Sequence, residues 1–187
     1  MASAAGLESR LGHAFRDPRL LEQVRPEMEA LARETGESVN LAVPLGREAL
    51  YLDQVEGTKL VRLFTAPGSR APLHATGVGK VFLAYLGVPE GLSLTPYTPH
   101  TLTRLPDLLR ELEAVRGRGY ALDNEEKELG VRCVAAPVFG ASGGVVAALS
   151  LSAPASRLSL EEAHRLAPRV VEAARRASLR LGYTGEV

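Results

Sequence analysis

Gly77-Val78-Gly79-Lys80 is the first stretch whose residue types and spacing suggest chemistry. It resembles the end of a phosphate-binding loop, but such a loop needs a glycine five residues before Gly79 and a hydroxyl residue after the lysine. His74 and Val81 occupy those positions, so the nucleotide reading fails. What remains suits an anion of another kind. Thr76 can cap a helix here, and the first backbone N–H groups of that helix have no partner within it. Together with the helix dipole they favour a small carboxylate. The glycines serve either of two ends: close approach of a ligand to the backbone, or tight packing of helix on sheet.

Ser150 and Ser152 are two apart and share one face of a strand, while Leu149 and Leu151 share the other. Val131 and Cys133 share a face on a neighbouring strand. The two hydroxyls either donate to a carboxylate among apolar neighbours or belong to the solvated face of an edge strand. Cys133 is a nucleophile only if a base or positive charge activates it; Arg132 points the other way, and a buried inert thiol is the simpler alternative. Gly140-Ala141-Ser142-Gly143-Gly144 matches the hydrolase pattern Gly-x-Ser-x-Gly. Both of its flanks are β-like, so it reads as a hairpin turn rather than a nucleophile elbow. His13, His74, His100 and His164 are scattered without metal-ligand spacing, and no metal and no cofactor is expected. Asp123-Asn124-Glu125-Glu126 reads as a solvated loop, one member of which could meet a ligand hydroxyl or hold a loop.

The elements that must position these groups follow the order helix, strands, helix, helix, strands, helix, which predicts an α+β domain with a largely antiparallel sheet. The first helix opens near Asp17-Pro18, carries Leu21, Val24, Met28 and Leu31 at helical spacing, is kinked or divided at Pro26, and ends at Gly36. Strands are expected at 39–43, 49–56 and 60–65, with a turn at 44–47. The second helix follows Thr76 with the stripe Val78, Val81, Phe82, Tyr85 and Leu86, and closes at Gly87. A third helix carries Leu108, Leu109, Leu112 and Val115. An extended segment begins at Tyr120. A hairpin joins 131–139 to 145–152. The last helix opens with a capping box, Ser159 and Glu162, and bends at Pro168.

Composition narrows the class. The 187 residues hold 22 Lys plus Arg and 22 Asp plus Glu, for zero formal net charge, with 45% apolar residues. That is an ordinary globular composition of one domain's length. The neutral balance gives no electrostatic reason for nucleic-acid or membrane binding by the whole chain. The single cysteine forbids an internal disulfide and fits a reducing compartment. No secretory pattern or membrane-spanning apolar run is present, so the expected location is the cytoplasm.

Several stretches together resemble the effector-binding domain of the IclR family of bacterial transcription regulators. They are Leu31-Ala-Arg-Glu-Thr-Gly-Glu37, Tyr51-Leu-Asp-Gln-Val-Glu56, Gly68 through Lys80, Arg118 through Glu126, Gly130 through Val138, and Ala148 through Arg157. The resemblance runs in consistent order from about Leu20 to Gly182. It implies a GAF-like curved antiparallel sheet flanked by helices, a pocket for a small organic acid, and self-association as a dimer or tetramer. It also implies ligand contact at Gly77 and Val78, and pocket positions at Leu60, Leu63, Asp123, Val131, Cys133, Ser150 and Ser152. Leu60 and Leu63 can both line a pocket only if their strand bends or ends early. Val78 is larger than the family's usual residue and narrows the cavity.

Residues 1–16 are expected to be the remnant of a linker, resembled by Gly6 through Gly12, and residues 17–187 the effector-binding domain. DNA is expected as a partner only through a winged helix-turn-helix domain absent from this chain. The expected function is therefore effector sensing without catalysis. The alternatives are a stand-alone oligomerisation module lacking DNA binding, or a Cys133-dependent enzyme on the same scaffold.

Overall fold

The computed structural model describes residues 18–185. The expected linker, His13 and the Asp17 cap lie outside the described residues. Helix α1 (Pro18–Thr35) buries Leu20, Val24, Met28 and Leu31 on one stripe and continues undivided through Pro26. Gly36, at φ 73°, ends it, and its N–H reaches back to the Ala32 carbonyl at 2.7 Å. Strands β1 (Ser38–Leu45) and β2 (Glu48–Val55) form a hairpin that turns at Gly46-Arg47, tighter than the expected turn over 44–47. The short strand β3 (Arg70–Pro72) pairs with the start of β2.

Helix α2 (Gly77–Leu86) and helix α3 (Leu105–Arg118) follow. Then come β4 (Ala121–Asn124), β5 (Val131–Phe139) and β6 (Val145–Pro154). The Gly-x-Ser-x-Gly stretch is the β5–β6 hairpin turn: the Gly140 N–H meets the Gly144 carbonyl at 2.9 Å, and Gly143 sits at φ 92°. Helix α4 (Leu160–Arg180) opens on Ser159, whose hydroxyl oxygen accepts from the Glu162 N–H at 3.1 Å, as the capping box requires.

The strands form one antiparallel sheet in the order β3-β2-β1-β6-β5-β4, so β1 and β6 are central. This is an α+β fold with a curved antiparallel sheet flanked by helices. On one face α1 and α4 pack over Val39, Leu41, Val134, Leu149 and Leu151. On the other, α2 and α3 pack over Ala42, Ala49, Ala121, Ala135 and Ala148. Alternation along each strand produces this division, and the alanines let α2 lie close to the sheet.

The expected strand at 60–65 is a correction. Those residues form irregular chain, and the third strand lies later, at β3. Leu60, Val61 and Phe64 are exposed, so their apolar character marks no buried strand. No helix among the described residues is long and apolar enough to cross a membrane.

Candidate functional site

Strand register builds the site. Asp123 on β4 lies opposite Cys133 on β5, Cys133 opposite Ser152 on β6, and Ser152 opposite Ser38 on β1. One step along the strands, Ala121, Ala135, Ser150, Asn40 and Gln54 form a second transverse row. A further step reaches Ala148 and Ala42, which lie under α2. The sheet face therefore changes from alanine to polar residues near the start of that helix. β6 is not an edge strand, and Ser150 and Ser152 are buried at 2% and 6% exposure, so the solvated-edge alternative does not apply.

Thr76 caps α2 as its spacing predicts. Its hydroxyl accepts from the Gly79 N–H at 3.1 Å and donates to the Pro72 carbonyl at 2.7 Å. The amides of Gly77 and Val78 meet no acceptor among the described residues. A Cβ on Gly77 would stand 3.1 Å from the Ala135 Cβ, so this end of the helix sits against the β5 position beside Ser150. A Cβ on Gly79 would stand 2.4 Å from the Leu73 carbonyl oxygen. Gly79 is therefore required for packing, while Gly77 combines tight packing with an unpaired amide.

The electrostatics are those of a buried polar face. Burial pushes the Asp123 carboxyl up to about 7, against the hydrogen bond that it accepts from the Glu126 N–H at 2.8 Å. Burial also raises the Tyr51 phenol, with Cys133 and Asp123 adding to the effect. The Cys133 thiol lies 3.0 Å from the Ser152 hydroxyl and is pushed up by burial first and by Asp123 second. Behind the row, Lys80 is 1% exposed, and its Nζ donates to both Glu126 oxygens at 2.9 Å. Glu126 also accepts from the Asn124 N–H at 2.9 Å. The solvated-loop reading is thus corrected for Asp123 and Glu126, which are buried; Asp123 holds the turn, the role that the sequence left open for one member, and Glu126 ties that turn to α2.

Gly77, Val78, Asp123, Val131, Cys133, Ser150 and Ser152 come together on this face or at its helix end. Leu63 stands at its rim, where its carbonyl accepts from the Ser38 hydroxyl at 2.7 Å. Leu60 does not join them; its side chain is 94% exposed. Sequence reasoning missed Ser38, Asn40, Tyr51 and Gln54. Ser38 and Asn40 alternate with Val39 and Leu41, which is a legible signal. Tyr51 and Gln54 were hidden by a β-bulge, where the register shifts between Leu41 and Ala42. Among the described residues no group of three or more His, Cys, Asp or Glu could hold a metal ion. Clefts of about 300, 390 and 300 Å³ lie elsewhere, the first beside Lys80, Glu126 and His164, and none is lined by Gly77, Val78, Ser150 or Ser152.

Comparison with known proteins agrees with this architecture. Residues 13–179 match the family described as bacterial transcriptional regulator IclR C-terminal. The chain is 40% identical over 176 residues to the HTH-type transcriptional regulator BhcR of Paracoccus denitrificans, covering 90% of this chain and 63% of that protein. The chain thus spans less than two thirds of that relative's length. The structure resembles the Thermotoga maritima IclR crystal structure at a TM-score of 0.82 and 34% identity, over 92% of this chain and 72% of that one. It also resembles an inducer-binding domain of the PobR transcription factor from Acinetobacter, a double mutant in complex with 3-hydroxybenzoic acid. There the TM-score is 0.74 at 27% identity, over 82% of this chain and 94% of that one. The chain belongs to the IclR family of bacterial transcriptional regulators, whose C-terminal domain it represents.

Proposed function

We propose that this domain senses a small organic acid, with the carboxylate seated at the start of α2. The observation that carries the reading is the pair of unpaired amides at Gly77 and Val78, beside a row of buried hydroxyls. In this reading the amides donate to the carboxylate, and Ser150 and Ser152 add hydroxyl donors. Asp123 accepts from a ligand hydroxyl or hydrate. Val131, Cys133 and Leu63 supply the less polar walls, and Leu60 joins them only if its segment folds inward. Charge-assisted hydrogen bonds contribute roughly 1.5–3 kcal/mol each, so two or three support micromolar binding after ordering costs. The PobR domain's complex with a hydroxybenzoic acid supports the ligand class.

Binding would shift a dimer or tetramer of this domain between geometries and so change operator affinity. DNA contact in this reading belongs to a winged helix-turn-helix outside this chain, and the protein works in the cytoplasm as a regulator without catalysis. The test is calorimetric titration with short keto-, hydroxy- and aromatic acids, with light scattering to follow self-association. If Ser150→Ala combined with Ser152→Ala leaves the affinity of a bound acid unchanged, the pocket is misplaced.

A further inference from the structure

The polar row continues past the serines to a pair of amides on the two strands beyond. Asn40 lies opposite Ser150 on one side and Gln54 on the other. Gln54 Nε2 donates to Asn40 Oδ1 at 2.8 Å. Asn40 is 1% exposed, yet its Nδ2 has no partner among the described residues. Gln54 Oε1 is the one fully buried side-chain nitrogen or oxygen among the described residues that lacks a hydrogen bond. Ser150, 2% exposed, likewise has no side-chain hydrogen bond among those residues. The next residues along the same face are Ala42 and Ala148, so an apolar pair here would pack without this cost.

We infer that Asn40 and Gln54 form the far end of the carboxylate site and select acids that carry a hydroxyl or carboxamide remote from the carboxylate. The inference rests on the proposed reading of that site. One amino group and one carbonyl oxygen of the pair are without a partner, Asn40 Nδ2 and Gln54 Oε1. Turning both amides over exchanges these roles and again leaves one of each. A hydroxyl or a carboxamide both donates and accepts, whereas a methyl end does neither and leaves the acceptor orphaned. Length follows from the sheet. Neighbouring strands lie about 5 Å apart, so Asn40 is one strand beyond Ser150 and two beyond Ala135, against which Gly77 packs. A four-carbon acid spans the step from Ser150 to Asn40.

The experiment is calorimetric titration of the 187-residue chain with butyrate, 4-hydroxybutyrate and succinamate. At least one polar-ended acid binds about tenfold more tightly than butyrate. Asn40→Ala and Gln54→Met each abolish that preference, so that the polar-ended acid binds no more tightly than butyrate does to the same variant. Which acid is preferred distinguishes hydroxyl from carboxamide. Thermal unfolding checks that each variant is folded, and Gln54→Met alone decides the matter if Asn40→Ala does not fold. Equal affinities in the unaltered chain, or a preference that survives substitution, overturns the inference while butyrate binding keeps the carboxylate reading. Failure of all three acids to bind removes both.

Discussion

The Cys133 thiol has a hydroxyl for its nearest polar neighbour, and a hydroxyl is neither a base nor a cation. Burial and the approach of Asp123 both disfavour the thiolate, which is the reactive form. Iodoacetamide at neutral pH is therefore expected to alkylate Cys133 at least about tenfold more slowly in the folded chain than in the urea-unfolded chain. A rate matching the unfolded chain would revive the enzymatic alternative. Asp123 gives a second residue-scale prediction, and its sign is opposite to that of a salt-bridged aspartate. Its carboxyl is raised from 3.8 to about 7, so across that window the folded chain holds more protons than the unfolded chain. Stability contributed at low pH is then lost as pH rises from about 4 to about 7, by up to ~1.4 kcal/mol per pH unit, and levels off above. Asp123→Asn keeps an oxygen for the Glu126 N–H and removes this slope. Urea midpoints at pH 5, 6, 7 and 8 check it, and a slope identical in both chains would mean that Asp123 titrates as an exposed carboxyl does.

At the scale of elements, the seat of α2 depends on two glycines with different duties. Alanine at 79 would drive its Cβ into the Leu73 backbone, which cannot swing aside as a side-chain tip can. Gly79→Ala is expected to cost roughly 2–3 kcal/mol, in the range of overpacked cores. Gly77→Ala is crowded only by the Ala135 Cβ, its backbone neighbours lying at ordinary contact distance, and it recovers helix propensity, so it is expected to fall within about 1 kcal/mol of neutral while weakening ligand binding. Denaturant unfolding separates the two, and equal costs would show that the Leu73 approach is not what requires glycine. Much of this element was legible in the sequence. Thr76, the apolar stripe and Gly87 lie close together, and local periodicity reports them. Ser150 and Ser152 were legible for the same reason, since period-two alternation puts them opposite Leu149 and Leu151. What local pattern could not report was the bulge in β2. It turns Leu52 and Asp53 both toward α1, so Tyr51 and Gln54 share the inner face despite their odd spacing. Nor could it report the Lys80–Glu126 pair, whose members are 46 residues apart. The apolar run at 60–65 misled because β propensity describes what fits a half-buried surface, and that segment has no strand to pair with.

At the scale of the molecule, both apolar layers rest on the same central strands. Val39, Leu41, Leu149 and Leu151 belong to the layer under α1 and α4, while Ala42 and Ala148 on those strands belong to the layer under α2. Arg180 to Glu27, at 2.9 Å, ties α4 to α1, and Arg157 to Glu37, at 2.7 Å, joins the β6–α4 connection to the α1–β1 connection. These partly exposed pairs add little to stability beside the shared apolar floor. Releasing α2 would uncover β1 and β6 on one side and loosen the strands that the other side needs. The two layers are therefore expected to open together. Native-state hydrogen exchange is the measurement: the slowest amides of α2 and α4 should report opening free energies within about 1 kcal/mol of each other. Gly79→Ala, although it lies only in the inner layer, should lower both by the same amount. Fast exchange throughout α2 with α4 still fully protected would contradict this coupling. Such a result would also undermine the proposed signalling route, because a ligand held at α2 reaches the rest of the domain through those two strands.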